Sequence, residues 1–296
     1  MAADEVTIVI CYRAGTAELL KTCVRAIRRH TVAPCRIQVA TVDADEPLRE
    51  LALAEQFSIH EYADEKGHVS SKVHGWLLDQ HIPKAIETAF LLTLDSDCFP
   101  VDGGWLSDLL AMLKSGARLS GILHPWAPPP VDMAKHLIEW RVRSQHCWQM
   151  THVACQLIRL DDLLTLGKRF SDGDDTGLAL PLEAKRRGWK IDGFKVTRCP
   201  RAETQYFDPE FNRYIGLIYG DKVYHQGGGT RTSVCGEEDM LERTFGWVKG
   251  MVQVEGGAEF LLESEMCYPF EFDREEQVAA EKMQRLFGLK SQRMEG

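Results

Sequence analysis

The chain has 296 residues, 44% hydrophobic and 27% charged, which excludes a disordered, collagen-like or coiled-coil architecture and suits one large globular domain. Its net charge of −9 is unevenly placed: Glu237 to Glu281 holds 13 acids against 3 bases, a local −10 that leaves the body at +1. Negative charge overall speaks against a general nucleic-acid binder, and no apolar run approaches the roughly 18–20 residues of a membrane span.

From the N-terminus, Met1 to Glu5 lacks the basic head and apolar stretch of a signal peptide. The β-branched run Val6 to Cys11 predicts a strand, and Thr16 to Arg29 has helical periodicity, with Leu19, Leu20, Cys23, Ala26 and Ile27 on one side. Further segments alternate in the same way. Arg36 to Val42 reads as a strand, Leu48 to Gln56 as a helix, Phe57 to Tyr62 as a strand and Val69 to His81 as a helix. Phe90 to Leu94 is a fully apolar strand, followed by a helix over Trp105 to Leu113 and a strand over Leu119 to Leu123. Such alternation with short links implies an α/β fold, a mainly parallel sheet doubly wound with helices.

Beyond His124 the pattern changes. Pro125, Pro128, Pro129 and Pro130 interrupt it, then a helix is expected over Val131 to Gln145. Leu178 to Arg187 reads as a helix stopped at Gly188, and Trp189 to Val196 as a strand. Tyr224 to Thr230, with three consecutive glycines, reads as loop, and Arg274 to Leu286 as a C-terminal helix. The nine cysteines include no Cys-x-x-Cys pair, so reduced thiols and a cytoplasmic location are expected.

The strongest chemical signal is Asp95-Ser96-Asp97 at the end of the apolar strand. Ligands of parallel sheets bind beyond the carboxyl ends of the strands. Two acids held there repel unless a proton or a divalent cation intervenes, and hard oxygen ligands suit magnesium or manganese. A second acidic group, Asp172, Asp174 and Asp175, precedes a helix, where a single acid would suffice as a cap. Lys185 to Arg201 carries seven bases and one acid; a helix end followed by a charged strand accounts for it more simply than an anionic ligand does. Lys72 and His74 stand on a helix before the metal strand, placed to contact donor phosphates or merely to face solvent.

In order and spacing these motifs resemble the GT-A fold glycosyltransferases, closest to the family-2-like branch, over roughly Val6 to Thr230. The opening strand leads into Tyr12-Arg13, where the family has a nucleotide-binding turn, and the second strand ends at Asp43-Ala44-Asp45, where it places an acid against base or ribose. Asp95-Ser96-Asp97 resembles its metal-binding Asp-x-Asp, with Asp97 the direct ligand and Asp95 and Ser96 on the donor side. Gly173-Asp174-Asp175 resembles its acidic pair, and His225 the histidine that completes many such metal sites. Three positions depart from the pattern: Arg13 replaces an asparagine, Asp174 a glutamate and Pro181 an arginine.

The resemblance implies Mn2+ or Mg2+, a nucleotide-diphosphate sugar, with uridine the expected base, and inverting transfer with Asp175, or its neighbour Asp174, as base. It also divides the chain: residues 1–235 would be the catalytic domain (nucleotide-sugar half 1–123, acceptor half 124–235), and 236–296 an acidic extension. Pro125 to Cys155, with Trp126, Arg141, Arg143, His146, Trp148 and His152, would wall the acceptor, a saccharide or small hydroxyl compound before a modified nucleic acid. Competing readings fit less well. A haloacid-dehalogenase-like phosphatase would carry Asp-x-Asp on its first strand. A sugar nucleotidyltransferase would need more glycine than Tyr12-Arg13-Ala14-Gly15-Thr16 offers, and a non-catalytic binding module would be expected to have lost Asp95 and Asp97.

Overall fold

The first strand is buried on both faces, as a strand flanked by parallel neighbours must be, and this explains its unbroken apolar run. It is β1 (Val6–Tyr12) of a computed structural model that describes residues 5–68, 71–123, 150–172, 176–200, 206–208, 213–215, 217–226 and 267–269. In chain order there follow α1 (Ala17–His30), β2 (Cys35–Thr41), α2 (Glu46–Glu55), β3 (Ser58–Glu61), α3 (Ser71–Ala85), β4 (Phe90–Leu94), β5 (Cys98–Pro100), α4 (Trp105–Lys114) and β6 (Leu119–Leu123). These match the expected elements closely except for β5, which local periodicity does not anticipate, and for two boundaries. Asp45 caps α2 through Leu48 N–H and starts it earlier, and α3 runs on through Pro83, which sits in its last turn.

The second half holds β7 (Thr151–Arg159), α5 (Leu160–Leu166), α6 (Ala179–Arg186), β8 (Ile191–Phe194), β9 (Val196–Pro200), β10 (Tyr206–Asp208), β11 (Arg213–Ile215), β12 (Leu217–Tyr219), β13 (Val223–His225) and β14 (Cys267–Pro269). The expected strand over Trp189 to Val196 is in fact two, β8 and β9, which belong to different sheets. Tyr224 and His225 are not loop, as expected, but strand: β13 pairs antiparallel with both β5 and β12. The helices expected over Val131 to Gln145 and Arg274 to Leu286 lie outside the described residues, as do Trp126, Asp174, Asp175 and Gly227 to Gly229.

The main sheet has seven strands in the order β3-β2-β1-β4-β7-β6-β8. All neighbours are parallel except β7, which is antiparallel to β4 and β6. Alternate strand residues feed two cores. Ile8, Ile10 and Leu92 pack with Leu20 and Ile27 of α1, Leu48 of α2 and Trp105 and Leu109 of α4. Val9, Leu91 and Ile158 pack on the other face with Leu78 of α3, Leu163 of α5 and Leu180 of α6. Each such buried aliphatic side chain contributes about 1.5–3 kcal/mol relative to exposure. The second sheet, β14-β9-β12-β13-β5, draws one strand from the region read as a C-terminal extension. Among the described residues no helix is long and apolar enough to cross a membrane.

Beside the main sheet lies a buried polar group that the sequence reading did not foresee. His81 is fully buried on α3, with Nε2 2.9 Å from Gln38 Oε1 and Nδ1 2.9 Å from the Tyr62 hydroxyl. The Gln38 amide nitrogen points instead to the Ala85 carbonyl, so Nε2–H donates to the glutamine oxygen and Nδ1 accepts from Tyr62. Burial, and secondarily His60 nearby, pushes the His81 pKa down from 6.5 to about 4. As pH falls the unfolded chain is therefore protonated first. This contribution to stability is complete above pH 6.5 and is lost as pH falls towards 4. It should lower unfolding free energy by about 2 kcal/mol between pH 7 and 5. Urea titrations of the wild type and His81→Gln at both pH values check this; an equal pH dependence in the two proteins would rule it out.

Candidate metal centre

The strand order reverses between β1 and β4, since the chain steps from β1 through β2 to β3 and then returns to the other side of β1. The crevice at such a switch point, beyond the carboxyl ends of the strands, is where α/β sheets bind ligands. Four sequence-singled positions lie there: Tyr12 at the end of β1, Arg13 just after it, and Asp43 and Asp45 after β2. Asp95, after β4, completes the edge.

Asp45 is already committed to the protein. Its carboxylate accepts the Tyr12 hydroxyl at 2.8 and 2.9 Å, Gly15 N–H at 2.9 Å and Leu48 N–H at 3.1 Å. Burial would raise its pKa, but the hydrogen bonds from Gly15, Tyr12 and Leu48 outweigh this and hold it below the usual carboxylate range. Burial, and secondly the same contact, raises the Tyr12 phenol. Tyr12 and Asp45 thus brace the β1–α1 turn against the start of α2, while Arg13 and Asp43 are exposed.

The residues after β4 form a tight turn, with Cys98 N–H donating to the Asp95 carbonyl at 2.9 Å. Asp95 N–H donates to Ala154 O of β7 at 3.0 Å, and Gln226 N–H to Asp97 O at 2.9 Å, so both ends of the motif are fixed by backbone. The pairing of His225 with Cys98 brings the imidazole beside the acids. Asp95, Asp97 and His225 each place one ligand atom within 4.8 Å of the others. Asp97 and His225 are 4% exposed, while Ser96 is buried in the turn rather than offered to solvent.

Two carboxylates and an imidazole converging at a buried strand end fit a divalent cation. Burying a carboxylate costs several kcal/mol unless opposite charge compensates it, and His225 Nε2 stands 3.8 Å from Asp97 Oδ1. The donor set, two hard oxygens and one nitrogen, suits manganese or magnesium better than a thiophilic ion.

Two further imidazoles border this trio. His74 of α3 lies with Nε2 3.5 Å from Asp95 Oδ1, and burial holds its pKa well below 6.5 despite the charge of Asp97. Lys72, two residues before His74 on the same helix, is exposed. His152, grouped by sequence with the acceptor wall, is on β7 with its ring 5.6 Å from that of His225. No short motif marks His152, and only the unforeseen strand β7 carries it to the site.

Asp174 and Asp175 lie outside the described residues, but both ends of their segment are anchored. Gly177 N–H donates to Phe170 O at 2.7 Å, and Asp79 of α3 accepts Phe170 N–H at 2.8 Å and Ser171 N–H at 3.1 Å. Gly75, one turn before Asp79, must be glycine: a Cβ there would stand 2.9 Å from Phe170 O and from Ser171 Cα. The helix that carries His74 to Asp95 therefore also clamps this segment.

No protein-family model and no curated protein matches the chain. Among solved structures it is similar to glucosyl-3-phosphoglycerate synthase from Mycobacterium tuberculosis, in a complex with Mn2+, UDP and glucosyl-3-phosphoglycerate, at 12% identity and a TM-score of 0.48 over 65% of this chain and 70% of that one. The same enzyme with Mn2+, UDP and phosphoglyceric acid is 13% identical, with a TM-score of 0.48 over 66% and 69% of the two chains. A mycobacterial protein is also similar, at 11% identity and a TM-score of 0.49 over 66% of each chain.

Proposed function

We propose that the protein is a metal-dependent glycosyltransferase of the GT-A type, moving a sugar from a nucleotide-diphosphate donor, uridine-linked by default, to a hydroxyl acceptor. The observation that carries this reading is the convergence of Asp95, Asp97 and His225 at the switch point of the sheet. Those three residues would hold Mn2+ or Mg2+, which when bound supplies positive charge to offset the negative charge developing on a diphosphate leaving group. Asp43, exposed at the end of β2, is the better candidate for the base or ribose, because Asp45 is spent on Tyr12, Gly15 and the α2 cap.

In the reaction, the acceptor oxygen forms a bond to the anomeric carbon as the bond from that carbon to the phosphate oxygen breaks. The electron pair leaves with the diphosphate, and the hydroxyl proton passes to a carboxylate. We assign that role to Asp175, in a segment anchored by Asp79, Phe170 and Gly177. His74, with Nε2 3.5 Å from Asp95 Oδ1, would orient the Asp95 carboxylate towards the donor. Saccharides or small hydroxyl compounds are the default acceptors.

The test is donor hydrolysis. Nucleotide-sugars of the common bases are incubated with the full chain and manganese, and the free nucleoside diphosphate is measured. Release from at least one donor, abolished by excess chelator, is expected. Absence of release, together with no manganese binding, would defeat the assignment; tight binding of donor without turnover would instead favour a binding module.

A further inference from the structure

Strand β7 is irregular where it passes the metal centre. Gln156 is opposite Gly121 on β6 and Thr151 opposite Leu123, so five steps along β7 match two along β6, three residues in excess. Such bulges bend a strand and re-aim side chains, and they recur beside active sites. This one carries structural costs. Gly121 approaches so closely that a Cβ would lie 2.1 Å from Cys155 O, and the buried Gln156 Oε1 has no hydrogen-bond partner among the described residues.

The excess residues are nonetheless held firmly. Thr93 donates its hydroxyl to Val153 O at 2.7 Å, and Asp95 N–H donates to Ala154 O at 3.0 Å. Ala154 N–H in turn donates to His152 Nδ1 at 3.1 Å. One peptide unit on each side of Ala154 thereby links the metal-binding turn to the His152 ring. A ring nitrogen that accepts a backbone N–H carries no proton, so the neutral ring bears its proton on Nε2. In that tautomer His152 is a hydrogen-bond donor.

We propose that His152 is a further binding residue of this site, donating its Nε2–H to a phosphate oxygen of the donor diphosphate. This rests on the glycosyltransferase reading above. The ring is 5.6 Å from that of His225, so a group bound to the trio comes within its reach, and the groups next to a cation in such a site are phosphate oxygens. A donor of fixed tautomer adds charge-assisted binding without itself competing for the cation.

Two substitutions separate the halves of the ring. His152→Asn keeps an acceptor for Ala154 N–H and loses the distal donor; His152→Gln keeps a distal donor and loses the proximal acceptor. Manganese alone is titrated by electron paramagnetic resonance, and inorganic pyrophosphate and uridine diphosphate by calorimetry with manganese present. His152→Asn should bind manganese as the wild type does but both diphosphates about tenfold or more weakly, the scale of one hydrogen bond to a charged group. His152→Gln should stay within about threefold of the wild type. Equal diphosphate affinity in wild type and His152→Asn would overturn the role, as would loss of manganese in that variant, which would make His152 a support for the trio instead. Failure of the wild type to bind manganese would instead bring down the underlying reading of the site.

Discussion

Asp97→Ala is expected to lose manganese affinity by more than about 100-fold and turnover by about 1,000-fold or more, the scale of removing a group that stabilises developing charge. The side chain is nearly inaccessible, and it shares its ligand atoms' neighbourhood with Asp95 and His225. Asp95, the other carboxylate of the trio, has its backbone N–H bonded to Ala154 O and its side chain beside His74. The variant should remain folded, since deleting one of two adjacent acids relieves repulsion. Electron paramagnetic resonance of free manganese, initial-rate measurements and circular dichroism check the three parts. Full activity in Asp97→Ala, or in the wild type with excess chelator, would remove the metal from the mechanism.

The second large effect concerns the base. Asp175→Asn should leave donor and manganese binding near wild-type values while lowering kcat by about 100-fold or more, the contribution of one general base. Its segment is tied at both ends by Phe170, Gly177 and Asp79, so an isosteric amide should not disturb the trio. The product should carry inverted anomeric configuration, read by proton NMR of the coupling at the anomeric carbon. Retention of configuration, or near-normal kcat in Asp175→Asn, would assign the mechanism wrongly.

How far the sequence could be read depends on where the deciding contacts lie. From Val6 to Leu123 most strands are short apolar runs and the helices follow turns, so local periodicity locates all the elements there but β5, a three-residue strand directly after the Asp95–Asp97 turn. Asp45 shows the limit even there: the acid was visible, but its engagement by Tyr12 and Gly15 depends on two turns meeting. Strand β7 is not legible because Thr151, His152 and Gln156 break its apolar pattern; the buried Gln156 amide donates to Thr151 Oγ1, five residues earlier in the same strand, a contact that periodicity does not reveal. His225 was recognised as a ligand type but read as loop. Its strand is three residues long, and its pairing partner, β5, lies more than a hundred residues earlier.

That pairing would give a bound metal a second role. Asp97 belongs to the turn after β4, His225 to a strand of the other sheet, and 128 positions (225 − 97) separate them along the chain. A shared ion would act as a reversible cross-link closing a very long loop, which an unfolded chain can form only at an entropic cost. Once free manganese exceeds its dissociation constant, each further tenfold rise adds about 1.4 kcal/mol to the folded state, provided the unfolded chain binds little. Mildly destabilising substitutions anywhere in either sheet would then be tolerated in manganese-replete cells and exposed in starved ones, so metal nutrition would set how much sequence drift this fold can absorb.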